Sequence, residues 1–465
     1  MDTKPGHAAT PKAEEAAQRR PAYFGKGDVF RALGLPSDFI IGLDAMAMTT
    51  NKSLEGFRDI PPGAHLLWVQ QPGSVSRCGY WFITGAQGVP RTKEWDRYNE
   101  VLAEPASQSE ARNSRGNMEF IYPSLQPYTL HDHGKRPPVP LNDTLPDWAR
   151  SPAHLWNALT SAISAQALSR ITGKQNLEEY LVDSMDCAKD EGLSASRAPV
   201  ATTNNELNFL FAQDFRDLQV LDLGSMKARV ADTSARVQTL LTSTATNNKN
   251  NNSPLTELDI LAELQFTFLT GTHLGNPACL EQWWNLVLKI VLRAYTLGTS
   301  HPQLTRDLLQ TLHAQLLYSE HYFASSATSS SSSSPQADRF DDGGKRAKDG
   351  PSSDTPVFEY KPLYKGKLRQ MLVEYKTQLS QLLVGRDDHG ATPEQEAVAA
   401  AFEELEAWLW RKGWDLRVRG EESRPENGGD GVDVGVDSED EEDEQPVVVE
   451  LDGEGREVGL VSFRD

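Results

Sequence analysis

Cysteine is scarce in this chain of 465 residues, with Cys78, Cys187 and Cys279 far apart in the sequence. An odd number of widely spaced cysteines argues against a disulfide framework and against a cysteine-rich metal cluster. The pattern is typical of a protein from a reducing compartment.

Long hydrophobic runs are also missing. The longest apolar helical stretch, residues 286–292, is interrupted by Lys289 and is too short to cross a bilayer. The first twenty residues mix Lys, Arg and Glu without an apolar core, unlike a signal or transit peptide. The sequence therefore predicts a protein of the cytoplasm and nucleus that does not enter a membrane.

Basic charge is in short supply, since 46 Lys and Arg face 66 Asp and Glu for a net charge of -20. Residues 421–444 hold twelve acidic residues and one Arg, a net -11 that leaves -9 for the remainder. Nothing in this distribution forms a strong basic footprint. We expect no direct DNA binding through phosphate neutralisation.

Catalytic motifs are absent as well, because the chain has no glycine-rich phosphate loop, nucleophile elbow or paired catalytic acids. His131 and His133 flank one aspartate without a third ligand, which is a weak metal pattern, and His313 is predicted on a helix surface. The sequence predicts no enzyme, no metal and no cofactor. An enzyme remains an alternative if a cleft gathers several scattered residues, for which the candidates are His65, Asp59, Cys78 and His273.

The N-terminal part reads as β-rich over residues 22–171, with short apolar runs bounded by Pro and Gly. Residues 39–43, 64–69 and 80–83 are apolar on both pleat faces, which predicts strands buried in a sandwich. A helix over residues 147–171 is expected to pack on the sheet. Residues 172–203 lack strong periodicity and are predicted to be a linker.

Residues 204–419 show the helical period, with apolar faces recurring over 280–295, 304–316, 368–382 and 398–409. Start signals are the pairs Ser253-Pro254, Asn276-Pro277 and Thr392-Pro393. The predicted fold class is α+β and multidomain. An N-terminal β-sandwich-like domain precedes an α-helical bundle or superhelical domain.

Four segments flank or interrupt these domains: a disordered tail over 1–21, a disordered serine-rich insertion over 324–354, an acidic tether over 420–445 and strand-like runs over 446–465. An isolated hairpin is marginal in water, so the terminal runs need a surface to pair with. We predict that they add to the sheet edge of a partner, through Val447, Val449, Leu451, Leu460, Val461 and Phe463. Folding back onto this protein's own β-rich domain, or disorder, are the alternatives.

Two helical positions are further candidates. Trp283 and Trp284 point about 100° apart on one helix, so Trp284 is a candidate partner contact, unless both rings line a wide core face. Ser253 is a candidate regulatory phosphorylation site, because a phosphate would lie favourably at a helix N-terminus. The alternative is a simple helix cap.

Three segments in order carry a resemblance: residues 55–68 (EGFRDIPPGAHLLW), residues 263–288 (with ELQFTFL, LGN and EQWWNLVL) and residues 411–416 (RKGWDL). Together they resemble the Aar-two family of splicing factors. The first segment supplies no catalytic group, and we expect it to form a surface for partners.

The resemblance implies a non-enzymatic factor that helps to assemble the spliceosomal U-five particle. Its implied partner is the large central protein of that particle, contacted through RNase H-like and Jab/MPN-like domains. We expect the protein to be a monomer within a hetero-complex. Its binding is expected to block premature binding of the helicase or of RNA to the particle. A helical adaptor unrelated to splicing remains the alternative among binding proteins.

Overall fold

The computed structural model describes the following residues: 27–51, 54–85, 89–105, 117–129, 151–174, 180–189, 206–211, 232–242, 255–320, 363–384 and 391–417. The predicted N-terminal tail, serine-rich insertion, acidic tether and terminal strands lie outside these residues and stay predictions. All elements below belong to the unit Met1–Arg419.

Two five-stranded sheets form the N-terminal part. In chain order the strands are β1 (Asp28–Leu33), β2 (Ile40–Leu43), β3 (Met46–Thr49), β4 (Gly56–Ile60), β5 (Gly63–Gln70), β6 (Arg77–Thr84), β7 (Pro90–Asp96), β8 (Val101–Ala103), β9 (Gln126–Pro127), β10 (Tyr180–Asp183), β11 (Cys187–Ala188) and β12 (Glu206–Leu207). The first sheet has the order β8-β7-β1-β4-β9, and the second has the order β10-β6-β5-β2-β3. Strands β11 and β12 form a small parallel pair.

The second sheet is the middle of three layers. On one face, the ring of Phe82 lies 5.3 Å from the ring of Phe30 in the first sheet. On the other face, the neighbouring Trp81 donates from Nε1 to Thr270 Oγ1 in the helical region at 3.0 Å. Successive side chains of a strand point to opposite faces. This arrangement confirms the prediction that the runs 64–69 and 80–83 are strands buried between layers.

Helices follow the sheets, and the two parts share one continuous buried hydrophobic cluster. In chain order the described helices are α1 (Met118–Ile121), α2 (Pro152–Thr160), α3 (Ala165–Thr172), α4 (Ser234–Thr242), α5 (Glu257–Leu274), α6 (Pro277–Leu286), α7 (Leu297–Ser300), α8 (Pro302–Tyr318), α9 (Leu363–Val384) and α10 (Pro393–Arg411). Helix α6 continues into a π-helical turn, Val287–Val291. The predicted α+β class, β-rich first and helical second, is confirmed.

Helix starts test the predicted capping signals. The Asn276 side chain accepts from the Cys279 N–H at 2.8 Å, and Thr392 forms a capping box with Gln395, so both of these signals are confirmed. The third, Ser253-Pro254, lies outside the described residues. The described start of α5 follows Thr256, whose N–H donates to Asp259 Oδ2 at 2.9 Å. A Thr-x-x-Asp capping box satisfies free backbone donors at this position.

Two predicted elements differ from the structure. The single helix expected over 147–171 is two helices, α2 and α3, because the Ser164 side chain accepts from the Ala167 N–H and starts a second helix. The predicted linker contains β10, which pairs with β6 at the edge of the second sheet. Tyr180 and Val182 alternate into the core, a short signal that the search for strong periodicity missed.

No helix among the described residues is both long enough and apolar enough to cross a membrane.

Gly56 gives a test of the contact between β1 and β4. Its φ is +143°, and a Cβ there would overlap the carbonyl oxygen of Phe30. We expect Gly56→Ala to lower the free energy of unfolding by about 3 kcal/mol or more, because backbone strain adds to a clash with main-chain atoms. Urea denaturation measures the change. Gly73→Ala is the control, because its Cβ meets open space at a φ of +73°, and a loss of only about 1 kcal/mol is expected. Equal losses in the two variants would contradict the steric argument.

Candidate functional site

Most of the apolar side chains of the segment 55–68 are buried. Phe57 and Ile60 are fully buried, and residues 61–63 carry the chain from the first sheet to the second. The Arg58 guanidinium donates to the carbonyl oxygen of Leu125 at 3.1 Å. The apolar side chains of this segment build the core between two sheets, while Pro62 is exposed. The expectation that the segment forms a surface for partners stays a prediction.

His65 lies in a buried polar network within the same segment. Its Nδ1 is 2.6 Å from Asp44 Oδ2, and its Nε2 is 2.9 Å from the carbonyl oxygen of Pro61. The Tyr128 hydroxyl also donates to Asp44 Oδ2 at 2.7 Å. Burial lowers the pKa of His65, but the charge and hydrogen bond of Asp44 outweigh it and leave the pKa raised. Since both ring nitrogens face acceptors, the imidazole is held as a cation.

A second network, which we call the junction cluster, consists of Arg170, Asp259, Glu263 and Gln282. The Arg170 guanidinium pairs with Asp259 at 3.3 Å and with Glu263 at 3.1 Å. Gln282 Nε2 donates to Glu263 Oε1 at 2.9 Å, and the Leu210 N–H donates to both carboxylate oxygens at 2.9 Å. The cluster thus joins α3, α5 and α6 to the segment before residue 212.

The electrostatic environment of the junction cluster favours a structural role for Glu263 over a catalytic one. Burial raises the pKa of Glu263, while Arg170 and the donated hydrogen bonds oppose the rise. All described partners of the carboxylate are donors, which is the environment of an ionised group. With its oxygens engaged in this way, Glu263 is placed to hold elements together rather than to remove a proton from a substrate.

A third contact joins the middle sheet to the helices. The Arg77 guanidinium carbon lies 4.9 Å from the centroid of the Trp68 ring, and Arg77 also donates to the carbonyl oxygen of His273. His273 Nε2 is 2.9 Å from the Tyr318 hydroxyl. Burial and the charge of Arg77 lower the pKa of His273 to about 3, so the ring is neutral at pH 7.

The four residues of the enzyme alternative have different partners. His65 pairs with Asp44, His273 contacts Tyr318, and Asp59 pairs with Arg58 at 2.9 Å. Burial raises the pKa of Cys78 to about 12, which keeps its sulfur a thiol rather than a nucleophilic thiolate. The described contacts do not assemble the four into one catalytic arrangement.

Metal ligands also fail to cluster in the described part of the chain, where no group of three or more His, Cys, Asp or Glu could hold an ion. His131 and His133 lie outside it. His313 is not on a helix surface as predicted. It is buried under α10, with its ring 5.6 Å from the Trp408 ring, because α8 packs against that helix.

Trp284 is a core residue, with 1% of its surface exposed. Its ring lies 4.7 Å from the Trp283 ring and 5.2 Å from the Tyr364 ring. The prediction that Trp284 contacts a partner is wrong, because α6 is covered on more than one side and both tryptophans find room in the core. Trp283 donates from Nε1 to Gln315 Oε1 at 2.7 Å.

The segment 411–416 follows the last turn of α10, where the Trp410 side chain is exposed. The Trp414 N–H donates to the carbonyl oxygen of Leu409 at 3.0 Å, and Leu416 is buried. Trp410 is 50% exposed, and the Arg417 guanidinium carbon stacks 4.1 Å from the centroid of its ring. The core therefore anchors the chain just before the acidic tether.

The remaining candidates, Ser253 and the six residues of the terminal strands, lie outside the described residues. Sequence reasoning missed Arg170, which no motif marks. Glu263 and Gln282 lie within the segment 263–288 that carries the resemblance, and that was the signal available for them.

Arg170 provides a test of the junction cluster. We expect Arg170→Met to lower the free energy of unfolding by about 3–5 kcal/mol, because it leaves the carboxylates of Asp259 and Glu263 buried without their cation. Chemical denaturation at pH 7 measures the loss. Arg306→Met is the matched control, since Arg306 is partly exposed and pairs with its neighbour Asp307, and a change under about 1 kcal/mol is expected. A similar loss in both variants would contradict the role given to the cluster.

His313 provides a test of acid sensitivity. Burial and the charge of Arg411 lower its pKa from 6.5 to about 3. The unfolded chain therefore binds a proton below pH 6.5 that the folded chain refuses, and stability falls as the pH drops from 6.5 towards 3. We expect His313→Phe to reduce the slope of unfolding free energy between pH 6 and pH 4.5 by about 1.4 kcal/mol per pH unit. An unchanged slope, as expected for the control His154→Gln on an exposed residue, would contradict the assignment.

Comparison with known proteins agrees with the positions of these segments. The family model for the AAR2 N-terminal domain matches residues 26–173, and the model for the AAR2 C-terminal repeat region matches residues 226–417. Among similar curated proteins is the Protein AAR2 homolog of Homo sapiens, 25% identical over 343 residues, which covers 66% of this chain and 79% of the relative.

The Protein AAR2 homolog of Macaca fascicularis is 24% identical over 325 residues, covering 63% of this chain and 76% of the relative. The two family models together span well over half of the chain, and they include the three resemblance segments and the whole junction cluster. The chain therefore belongs to the AAR2 family, the Aar-two family that its sequence resembles.

Proposed function

We propose that this protein is a pre-mRNA splicing factor that acts as an assembly chaperone of the U-five particle. The observation that carries the proposal is family membership, which covers the β-rich part and the helical part in the same order. The role itself is what the resemblance to splicing factors implies. The geometry adds that residues of the resemblance segments hold the layers together, which suits a scaffold.

The proposed role is non-enzymatic. Among the described residues, the histidines and the cysteine that an enzyme would use are buried and engaged in the fold or held in an unreactive state. His273 is neutral with a pKa near 3, and Cys78 is a thiol with a pKa near 12. Glu263 accepts only from donors within the fold. These features support binding rather than catalysis as the activity of the protein.

The proposed partner is the large central protein of the U-five particle, contacted through its RNase H-like and Jab/MPN-like domains. We place the docking strands at residues 446–465, where two runs with strand propensity follow the acidic tether. Burial of Leu416 fixes the point at which the chain leaves the helices. About 30 residues then separate that anchor from Val447, which is a long reach for a flexible tether.

The proposed mechanism is steric. Occupying the surfaces of the central protein keeps the helicase and RNA away until assembly is complete, so the protein acts as a monomer within a hetero-complex in the cytoplasm and nucleus. Release then needs a signal. Phosphorylation at Ser253, close to the start of α5, is our candidate, and phosphopeptide mapping that always finds Ser253 unmodified would dispose of it.

A binding assay tests the proposal. We expect the full-length protein to bind both fragments of the central protein, and a chain truncated after Arg419 to lose at least one of them, because the docking strands are gone. Titration calorimetry with purified fragments measures each affinity. If neither fragment binds the full-length chain, the proposed partner is wrong. If both bind the truncated chain as tightly, the docking role of the tail is wrong.

Substitutions within the tail test which face of the docking strand contacts the partner. Val447 and Val449 share one face of an extended strand, and Val448 lies on the other. We expect Val447→Asp with Val449→Asp to weaken binding by about tenfold or more. The double change removes two apolar side chains from a contact that excludes water. The control Val448→Asp should weaken binding less. Equal effects of the two changes would contradict pairing by a single strand face.

A further inference from the structure

A proton is buried between the side chains of His65 and Asp44. His65 Nδ1 lies 2.6 Å from Asp44 Oδ2, and His65 Nε2 lies 2.9 Å from the carbonyl oxygen of Pro61. A carbonyl oxygen only accepts, so Nε2 carries a hydrogen of its own. A carboxylate oxygen that approaches Nδ1 to 2.6 Å needs a second hydrogen between the two atoms. The pair therefore holds one proton more than a neutral imidazole beside an ionised carboxylate.

This pair is shielded from water. His65 is 2% exposed, and Asp44 is fully buried. The imidazole ring lies 5.6 Å from the Phe82 ring and 5.7 Å from the Tyr128 ring. Without the shared proton, a buried negative charge would face the lone pair of Nδ1, and an unpaired buried charge is costly. Loss of the proton therefore pushes the two side chains apart.

Asp44 is also the point at which three segments of the chain meet. Its Oδ1 accepts from the Leu66 N–H at 2.9 Å, and its Oδ2 accepts from the Tyr128 hydroxyl at 2.7 Å. Asp44 lies in the turn between β2 and β3 with a φ of +56°, a conformation that glycine adopts at lower cost. The carboxylate that this position supplies is used by β5 and by the segment after β9.

The same hydrogen bonds join the edges of the two sheets. β3 is the edge strand of the second sheet, and β9 is an edge strand of the first. Tyr128 directly follows β9, and its N–H donates to the carbonyl oxygen of Arg58 at 2.8 Å. The next residue, Thr129, has its N–H nitrogen 3.3 Å from Met46 Sδ at the start of β3. Both edges therefore come together beside the buried proton.

Other charged and titratable groups around the pair come from β1, β7 and the segment after β9. Asp28 in β1 favours the charged imidazole, and Arg91 in β7 pairs with Asp28 at 2.5 Å, which offsets that influence. Tyr128 donates its hydroxyl hydrogen to Asp44. Burial lowers the pKa of His65, but the charge and hydrogen bond of Asp44 raise it more, so the pKa stays above the ordinary 6.5.

We propose that His65 and Asp44 form a proton-dependent clasp, which fastens the β2–β3 turn and the segment at Tyr128 to β5 while the shared proton is bound. The folded chain binds this proton more tightly than the unfolded chain does, so the stabilisation is complete below pH 6.5. It is lost as the pH rises through the pKa of the folded pair. Opening of the clasp loosens two strands that end their sheets, and sheet edges are where extended peptides add.

Hydrogen exchange of the full-length protein, followed by mass spectrometry between pH 6 and pH 9, tests the clasp. Protection is corrected for the intrinsic exchange rate at each pH. We expect protection of residues 43–49 and 126–129 to fall by up to about tenfold per pH unit above the pKa of the folded pair, because one proton is released on opening. Peptides from α10 are the internal reference, since a general loss of stability lowers protection everywhere. An equal fall in α10 overturns a local clasp.

Three variants separate the clasp from other causes. His65→Gln replaces the titrating ring with a neutral donor, so its protection at residues 43–49 should not depend on pH. His154→Gln, at an exposed position, should respond to pH as the unchanged protein does. Tyr128→Phe retains the His65–Asp44 pair, so it tests the clasp even if His65→Gln fails to fold. It should keep the pH response at residues 43–49 and lose it at 126–129, which is tied to Asp44 through the Tyr128 hydroxyl.

Two results would overturn the proposal. In the first, protection of residues 43–49 in the unchanged protein is the same at pH 6 and at pH 9. In the second, His65→Gln shows the same pH dependence as the unchanged protein, which would assign the response to another group.

Discussion

The carboxylate of Glu263 is fully buried in the middle of the molecule, and three donors from three different places converge on it. A buried charge is tolerated only when its hydrogen bonds are made, so α3, α6 and the segment before residue 212 have to be in place together. The hydrogen bond from Trp81 in the β-rich part to Thr270 in α5 forms only if α5 occupies this buried position. The constraint at Glu263 therefore links the packing of the helices to the position of the sheets.

Much of the layered architecture could be predicted because it rests on local signals. Runs with apolar residues on both pleat faces predict a buried strand whatever its partners are, and 64–69 is such a strand. Capping pairs such as Thr392 with Gln395 satisfy backbone donors within four residues. Features that depend on distant partners escaped prediction. Tyr180–Asp183 becomes an edge strand only because β6 lies beside it.

The site was harder to predict than the fold for the same reason. Trp284 looks like an exposed anchor when its helix is viewed alone, and it is buried because other elements cover α6. Arg170 has no motif around it, and its role depends on two carboxylates about 90 residues later in the chain. Within residues 55–68, Gly56 tolerates few alternatives, because its φ is +143° and a Cβ there would overlap the Phe30 carbonyl oxygen in β1.

The middle position of the second sheet has a consequence for synthesis of the chain. Trp81 cannot form its hydrogen bond to Thr270 until that residue has been made, 189 residues later in the chain. A ribosome adds about 5–20 residues each second. For roughly 10–40 seconds the nascent chain therefore presents one apolar face of that sheet without α5, and only α2 and α3 are made early in that interval. Contacts of such sequence separation also form slowly. During this interval the emerging chain itself has the strongest need for a holding chaperone.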